Sequence, residues 1–314
     1  MSRHRLISDK NNYAGFGGST KGGRRMKNSR HIIGIGVSLV LGSLILLAGS
    51  QGSINIDAGP LFAVCGAIGF ILHWLIFIPS FWFKTEHYFD LTGSLSYITT
   101  VVVALLLNSS WDIRDAIIAA MIIIWASRLG SFLFFRIKKD GQDSRFVVMK
   151  TKFAWFLMTW TIGGLWVLVT MAAGLAALTS NTTAEIGVLG YIGIALWIFG
   201  FTVEVVADRQ KTKFKQEPNN QGRFIATGIW RWSQHPNYFG EITLWFGLTL
   251  LALPVLSGWQ MITLISPLFV YLLLTKVSGI PLLDRAAAQK WGSDADYLAY
   301  TKATSKLMLL PPRS

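Results

Sequence analysis

Apolar residues along this chain gather in long unbroken stretches, and charged residues are confined to short segments between them. Eight stretches approach or exceed the roughly 17–25 residues that a helix needs to cross the hydrocarbon core of a bilayer. They are 32–50, 59–83, 94–108, 114–135, 153–178, 184–206, 238–257 and 259–279. The third is the shortest and would suit a short, tilted or interfacial helix, so a total of seven spans is the alternative. Runs of this length without period-two alternation read as helices, which satisfy their own backbone groups in lipid, and not as strands of a barrel. The expected fold class is all-α: a polytopic membrane helix bundle of seven or eight transmembrane helices. Residues 1–31 are expected to form a flexible basic tail, and 32–314 a single transmembrane domain.

Composition agrees with this pattern, with 52% hydrophobic residues, 14% charged residues and a mean hydropathy of +0.46. The net charge of +13 would suit nucleic acid only with a basic face on a matching fold motif, and neither is visible, so no nucleic-acid partner is expected. Topology explains the charge better. With eight spans, one side holds eight Lys and Arg in the tail, Lys84, six from Arg136 to Lys152, six from Arg209 to Arg231 and six from Lys276 onward; the opposite loops hold Arg114. The positive-inside rule then places both termini in the cytosol. The protein is expected to be an integral multi-pass membrane protein, of the inner membrane if bacterial and of the endoplasmic reticulum if eukaryotic. Cys65 is the single cysteine and lies in an apolar run, so no intramolecular disulfide and no CxxC-type metal site can form, and no metal is expected. Residues 1–31 have no short apolar core with a small-residue cleavage site and do not read as a secretory signal. Asn108-Ser109-Ser110 and Asn181-Thr182-Thr183, on the far side, match glycosylation sequons.

Polar residues that composition does not account for cluster at the cytosolic helix ends. In "FTVEVVADRQKTKFK" Glu204, Asp208, Lys211 and Lys215 share one helical face. An acid about a turn inside an apolar run usually faces a bundle interior or an aqueous cavity, although Asp208 with Lys211 or Lys215 could simply close the helix end. In "GIWRWSQHPNYFGE" Pro236 favours the first turn of a helix and biases His235 away from α geometry, so a helix should start near 233–236. Asn237, Tyr238, Glu241 and Trp245 then share a face. A helix N-terminus attracts anions, and Lys213, Lys215, Arg223 and Arg231 add donors nearby. Arg128 lies about two turns inside the fourth stretch, where it either snorkels to the interface or reaches the same anionic ligand; Arg145 follows a turn-forming Asp-Gly. "KTEHYFDLTGSLSY" supplies Glu86, His87, Tyr88, Asp90 and Tyr97, with Asp90 also readable as a helix N-cap.

These motifs carry a resemblance. "GIWRWSQHPNYFGE" is similar to the C-terminal signature of membrane reductases related to steroid 5-alpha-reductases and sterol C14 reductases, in particular their bacterial-type branch. "EHYFDLTGSLSY", "RLGSFLFFRIKKDGQDSRF" and "WGSDADYLAYTKATSKLMLLPP" resemble that branch in the same order, over about residues 60–312. The resemblance implies NADPH bound from the cytosolic side by the C-terminal half, about 184–314, and a lipid-accessible pocket for a steroid-like, isoprenoid or other lipid substrate. Its implied cofactor contacts are Asp208, Asn237, Tyr238 and Glu241, with Lys213, Arg223, Arg145, Arg128 and His235 as phosphate or ribose partners. The implied proton donor is a Glu and Tyr pair from the N-terminal helices; Glu86 with Tyr88 or Tyr97 is the best match, and Asp90 the next. Isoprenylcysteine carboxyl methyltransferases share the fold and carry a related Arg-His-Pro-x-Tyr signature for S-adenosylmethionine. Here Gln234 precedes His235 and Glu241 follows Gly240, which is closer to the reductase form. Two alternatives are S-adenosylmethionine-dependent methyl transfer to a lipid or prenylated acceptor, and a non-enzymatic lipid-binding protein of the same fold.

Overall fold

A computed structural model of the chain describes residues 21–140 and 146–313; Arg145 lies outside the described residues. Among the described residues, eight helical segments are long and apolar enough to cross a membrane. The seven-helix alternative is thereby set aside.

The segments in order are α1 (Lys21–Ser50), α2 (Leu61–Trp82), α3 (Phe89–Leu107), α4 (Ile113–Asp140), α5 (Phe153–Leu178), α6 (Val188–Gln216) and α7 (Pro236–Ala252), then a composite eighth. The eighth begins as a 3-10 helix (Gly258–Ile265), becomes α8 (Ser266–Leu272), widens to a π turn (Leu273–Val277) and continues into α9 (Ile280–Trp291). A short α10 (Ala295–Ala303) follows, and a two-residue hairpin, β1 (Asn55–Ile56) and β2 (Gly59–Pro60), links α1 to α2. The third helix starts at Phe89 with Tyr88 at its cap, so Asp90 lies in the first turn and is not the N-cap.

The bundle is organised around α5, where Gly163–Leu165 and Val167–Leu178 are all buried. Small residues allow it. A Cβ on Gly164 would lie 2.9 Å from Phe70 Cα, so α2 approaches at backbone distance, the packing mode that glycine gives membrane helices. The same device is doubled between α6 and α7. Gly193 faces the Gly247 carbonyl and Gly200 faces the Gly240 carbonyl, each at 2.5 Å from a hypothetical Cβ. Both glycine pairs recur at a spacing of seven residues, which keeps one face of each antiparallel helix in register with the other.

Arg114, the exception to the charge asymmetry, is buried. It donates to the carbonyl of Leu251, an orphan acceptor near the C-terminus of α7, and to those of Ala184 (3.1 Å) and Glu185 (2.6 Å) in the loop before α6. Asn108 is also structural: its amide donates to Leu178 O at 3.0 Å and its Oδ1 accepts from Ser110 N at 2.9 Å. A side chain 3% exposed is no acceptor for a glycan in the folded protein.

Candidate functional site

Three helices converge at the basic end of the bundle, and each brings one part of a polar column. From α4, Trp125 and Arg128 are three residues apart and share a face. Arg128 ion-pairs with both Glu204 and Asp208 of α6, and Trp125 Nε1 donates to Glu204 Oε2 at 3.2 Å. The arginine therefore reaches inward and does not snorkel; Asp208 forms its ion pair with Arg128, and Lys211 of its own helix attracts it as well. A guanidinium suits this position because its planar fork can serve two carboxylates at once.

The third part is Glu241 of α7. The Gly200·Gly240 contact sets it, since a Cβ on Gly240 would lie 2.7 Å from Glu204 N. Glu241 interacts electrostatically with Glu204, Asp208 and Arg128. It forms no ion pair or hydrogen bond among the described residues and is only partly buried. Three carboxylates thus surround one arginine, and one of them is available to accept from a ligand.

Deeper in the bundle the column becomes aromatic. Trp125 and Trp245 meet edge to face at 4.9 Å, and the Tyr97 ring packs on both, at 5.3 and 6.0 Å. Tyr97 is 5% exposed and feels the charge of Glu241. Its hydroxyl lies beside that of Thr170 on α5, but among the described residues neither hydroxyl meets hydrogen-bond geometry with a partner. A buried O–H without a partner costs about 1–3 kcal/mol, and a native structure that keeps one needs a reason for it.

At the mouth, Lys211 lies with its ammonium 4.6 Å from the Trp230 ring centroid, and Arg136 and Lys215 act electrostatically on the same lysine. Pro236 opens α7 as its first residue, and the His235 and Tyr238 rings stack at 5.7 Å. Burial pushes the His235 imidazole down from 6.5 to about 4. The attraction of Asp284 opposes this, and Lys306 and Lys211 reinforce it. His235 is therefore neutral near pH 7.

Of the residues singled out by the sequence, Arg128, Asp208, Glu241 and Tyr97 are brought into this column, and His235 and Tyr238 flank its mouth. Asn237 is partly buried on the same helix, while Lys213 and Arg223 are exposed. Glu86 belongs elsewhere. It is 1% exposed and pairs with Lys150 Nζ at 2.7 Å, beside an aromatic cluster formed by Phe89, Phe146 and Trp160. Tyr88 is 50% exposed and lines an apolar groove between α2 and α3. Trp125 and Thr170 were not singled out; the three-residue spacing from Trp125 to Arg128 is the signal that could have found the first.

Comparison with known proteins gives a family but no activity. One curated relative, "Uncharacterized protein C594.04c" of Schizosaccharomyces pombe (strain 972 / ATCC 24843), is 32% identical over 94 residues, covering 24% of this chain and 27% of that protein. The chain thus spans about a quarter of the length of that relative. No solved structure matches. The family described as protein of unknown function (DUF1295) matches residues 76–304, a stretch that carries α3 to α10 and with them the whole polar column, and the chain belongs to that family.

Proposed function

We propose that the protein is an NADPH-dependent membrane reductase that saturates an activated C=C bond of a steroid-like, isoprenoid or other lipid substrate. The observation that carries this reading is the column itself: cations at the mouth, a carboxylate below them with no ion-pair partner among the described residues, and at the bottom a buried tyrosine hydroxyl with only that of Thr170 beside it. The residues present fit such a cofactor. Arg136, Lys211 and Lys215 would attract its phosphates, Asp208 and Glu241 would accept from its ribose hydroxyls or carboxamide, and the stacked His235 and Tyr238 offer aromatic surface. NADPH, when bound, supplies a hydride.

The chain's own residues do the rest. Reduction of an enone needs a donor on the carbonyl oxygen while the β-carbon gains hydride, and a proton at the α-carbon afterwards. The Tyr97 O–H is the donor this site offers. Trp125 and Trp245 exclude water around it, which strengthens a hydrogen bond made there. An apolar substrate reaches such a depth laterally, from lipid.

A second reading draws on one observation. Three carboxylates around one arginine would also favour a cationic group, such as the sulfonium of S-adenosylmethionine. The lysines and arginine at the mouth oppose it, and methyl transfer has no evident use for a buried phenol.

Tyr97→Phe tests the proposal. The ring contacts with both tryptophans remain and only the O–H is lost, so NADPH affinity is expected to stay within about twofold while turnover falls by about 100-fold or more, the scale of general-acid catalysis. Turnover is read as NADPH oxidation with a membrane lipid extract, together with a product heavier by two hydrogens. Wild-type turnover in the variant would remove Tyr97 from the mechanism.

A further inference from the structure

The C-terminal segment builds a second polar site, outside the column. After α10 the chain folds back along the stretch that precedes α7. Ser233 Oγ donates to Leu307 O at 2.7 Å, Gln234 N donates to Ser305 O at 2.8 Å, and Gln234 Nε2 donates to the carbonyls of Thr301 and Thr304 at 2.9 and 2.8 Å. Arg313 N closes the turn onto Ala303 O at 2.9 Å. These bonds fix the walls of a cavity of about 480 Å³, within the roughly 300–1,000 Å³ of small-molecule sites.

The charges on those walls do not balance. Lys302, Lys306 and Arg313 line the cavity against a single acid, Asp284, and Lys306 pairs with that acid at 2.5 Å. Two positive charges are left over. His235, 7% exposed, stands next to that acid, its Nε2 3.5 Å from Asp284 Oδ1.

We propose that this cavity binds a phosphate monoester, whose dianion matches the two excess charges and whose oxygens take hydrogen bonds from Lys302 and Arg313. Arginine and lysine together are the usual phosphate donors. The phosphate can come from a soluble nucleotide or from the headgroup of a lipid such as phosphatidic acid. The proposal stands without the reductase reading, because Asp284, Lys302, Lys306 and Arg313 take no part in the column.

The test compares the wild type with Lys302→Gln/Arg313→Gln. Both side chains are exposed, so the unliganded melting temperature should not change; Lys290→Gln, a lysine outside the cavity lining, serves as the control. Purified protein in detergent is titrated with adenosine 2′-monophosphate or adenosine, and protein in phosphatidylcholine nanodiscs is compared with and without phosphatidic acid. Saturable stabilisation by the nucleotide and not by adenosine, weakened about tenfold or more in the double variant, supports the site with a soluble ligand. Stabilisation only by phosphatidic acid, lost in the same variant, supports it with a lipid. No response to either phosphate, or an equal response in the double variant, overturns the proposal.

Discussion

Arg128→Ala is expected to destabilise the protein by about 3–5 kcal/mol, the cost of leaving a buried ion pair without its partner. Glu204 and Asp208 have side chains 3% and 10% exposed, and no other cation forms an ion pair with either among the described residues. Adding Glu204→Gln and Asp208→Asn to the same variant should restore much of the loss, since neutral amides carry no uncompensated charge. Unfolding in detergent micelles measures both. A loss below about 1 kcal/mol for Arg128→Ala would mean that water reaches these carboxylates and that the site is an open surface cluster.

Gly240→Val is expected to act on stability and on the site together. The new side chain would meet Gly200 O and Glu204 N, both of them backbone and unable to swing aside. Forcing α6 and α7 apart should cost about 1–3 kcal/mol, the range for overpacking. In the surviving folded protein Glu241 moves away from Glu204 and Asp208, so NADPH affinity should fall by about tenfold or more. Gly36 is the matched control: a Cβ there meets nothing within 4 Å, and Gly36→Ala should leave both quantities unchanged. Wild-type melting and binding in Gly240→Val would show that the close helix contact does not position the carboxylates.

How much of this the sequence reveals depends on the length scale of the physics. The spans are legible because lipid demands about twenty apolar residues in a row. The third helix reads short because its first residues, 89–93, include Asp90 and Thr92, yet Thr92 is buried against protein; hydropathy cannot distinguish a wet face from an interhelical one. The eighth span reads as one apolar run, but Pro267 and Gly279 interrupt regular hydrogen bonding, and the chain passes through 3-10 and π turns that hydropathy does not register. The single polar face of Glu204 and Asp208 follows from four-residue spacing. That Arg128 needs a partner is also legible, but its choice of residues 76 and 80 positions away is set by helix packing. The same limit separates Tyr97 from Glu86. Both stand in one motif, yet α3 turns Tyr97 toward the tryptophans while Lys150, far along the chain, claims Glu86. The cavity over His235 depends on a C-terminal return that no local pattern announces.

The central claim is that the column holds NADPH, and direct titration of the purified protein tests it most simply. NADPH should bind saturably, S-adenosylmethionine should neither bind nor compete, and Tyr238→Phe/Glu241→Gln should weaken NADPH binding by about tenfold or more. Saturable binding of S-adenosylmethionine with none of NADPH, or NADPH affinity unchanged in that variant, would contradict the account.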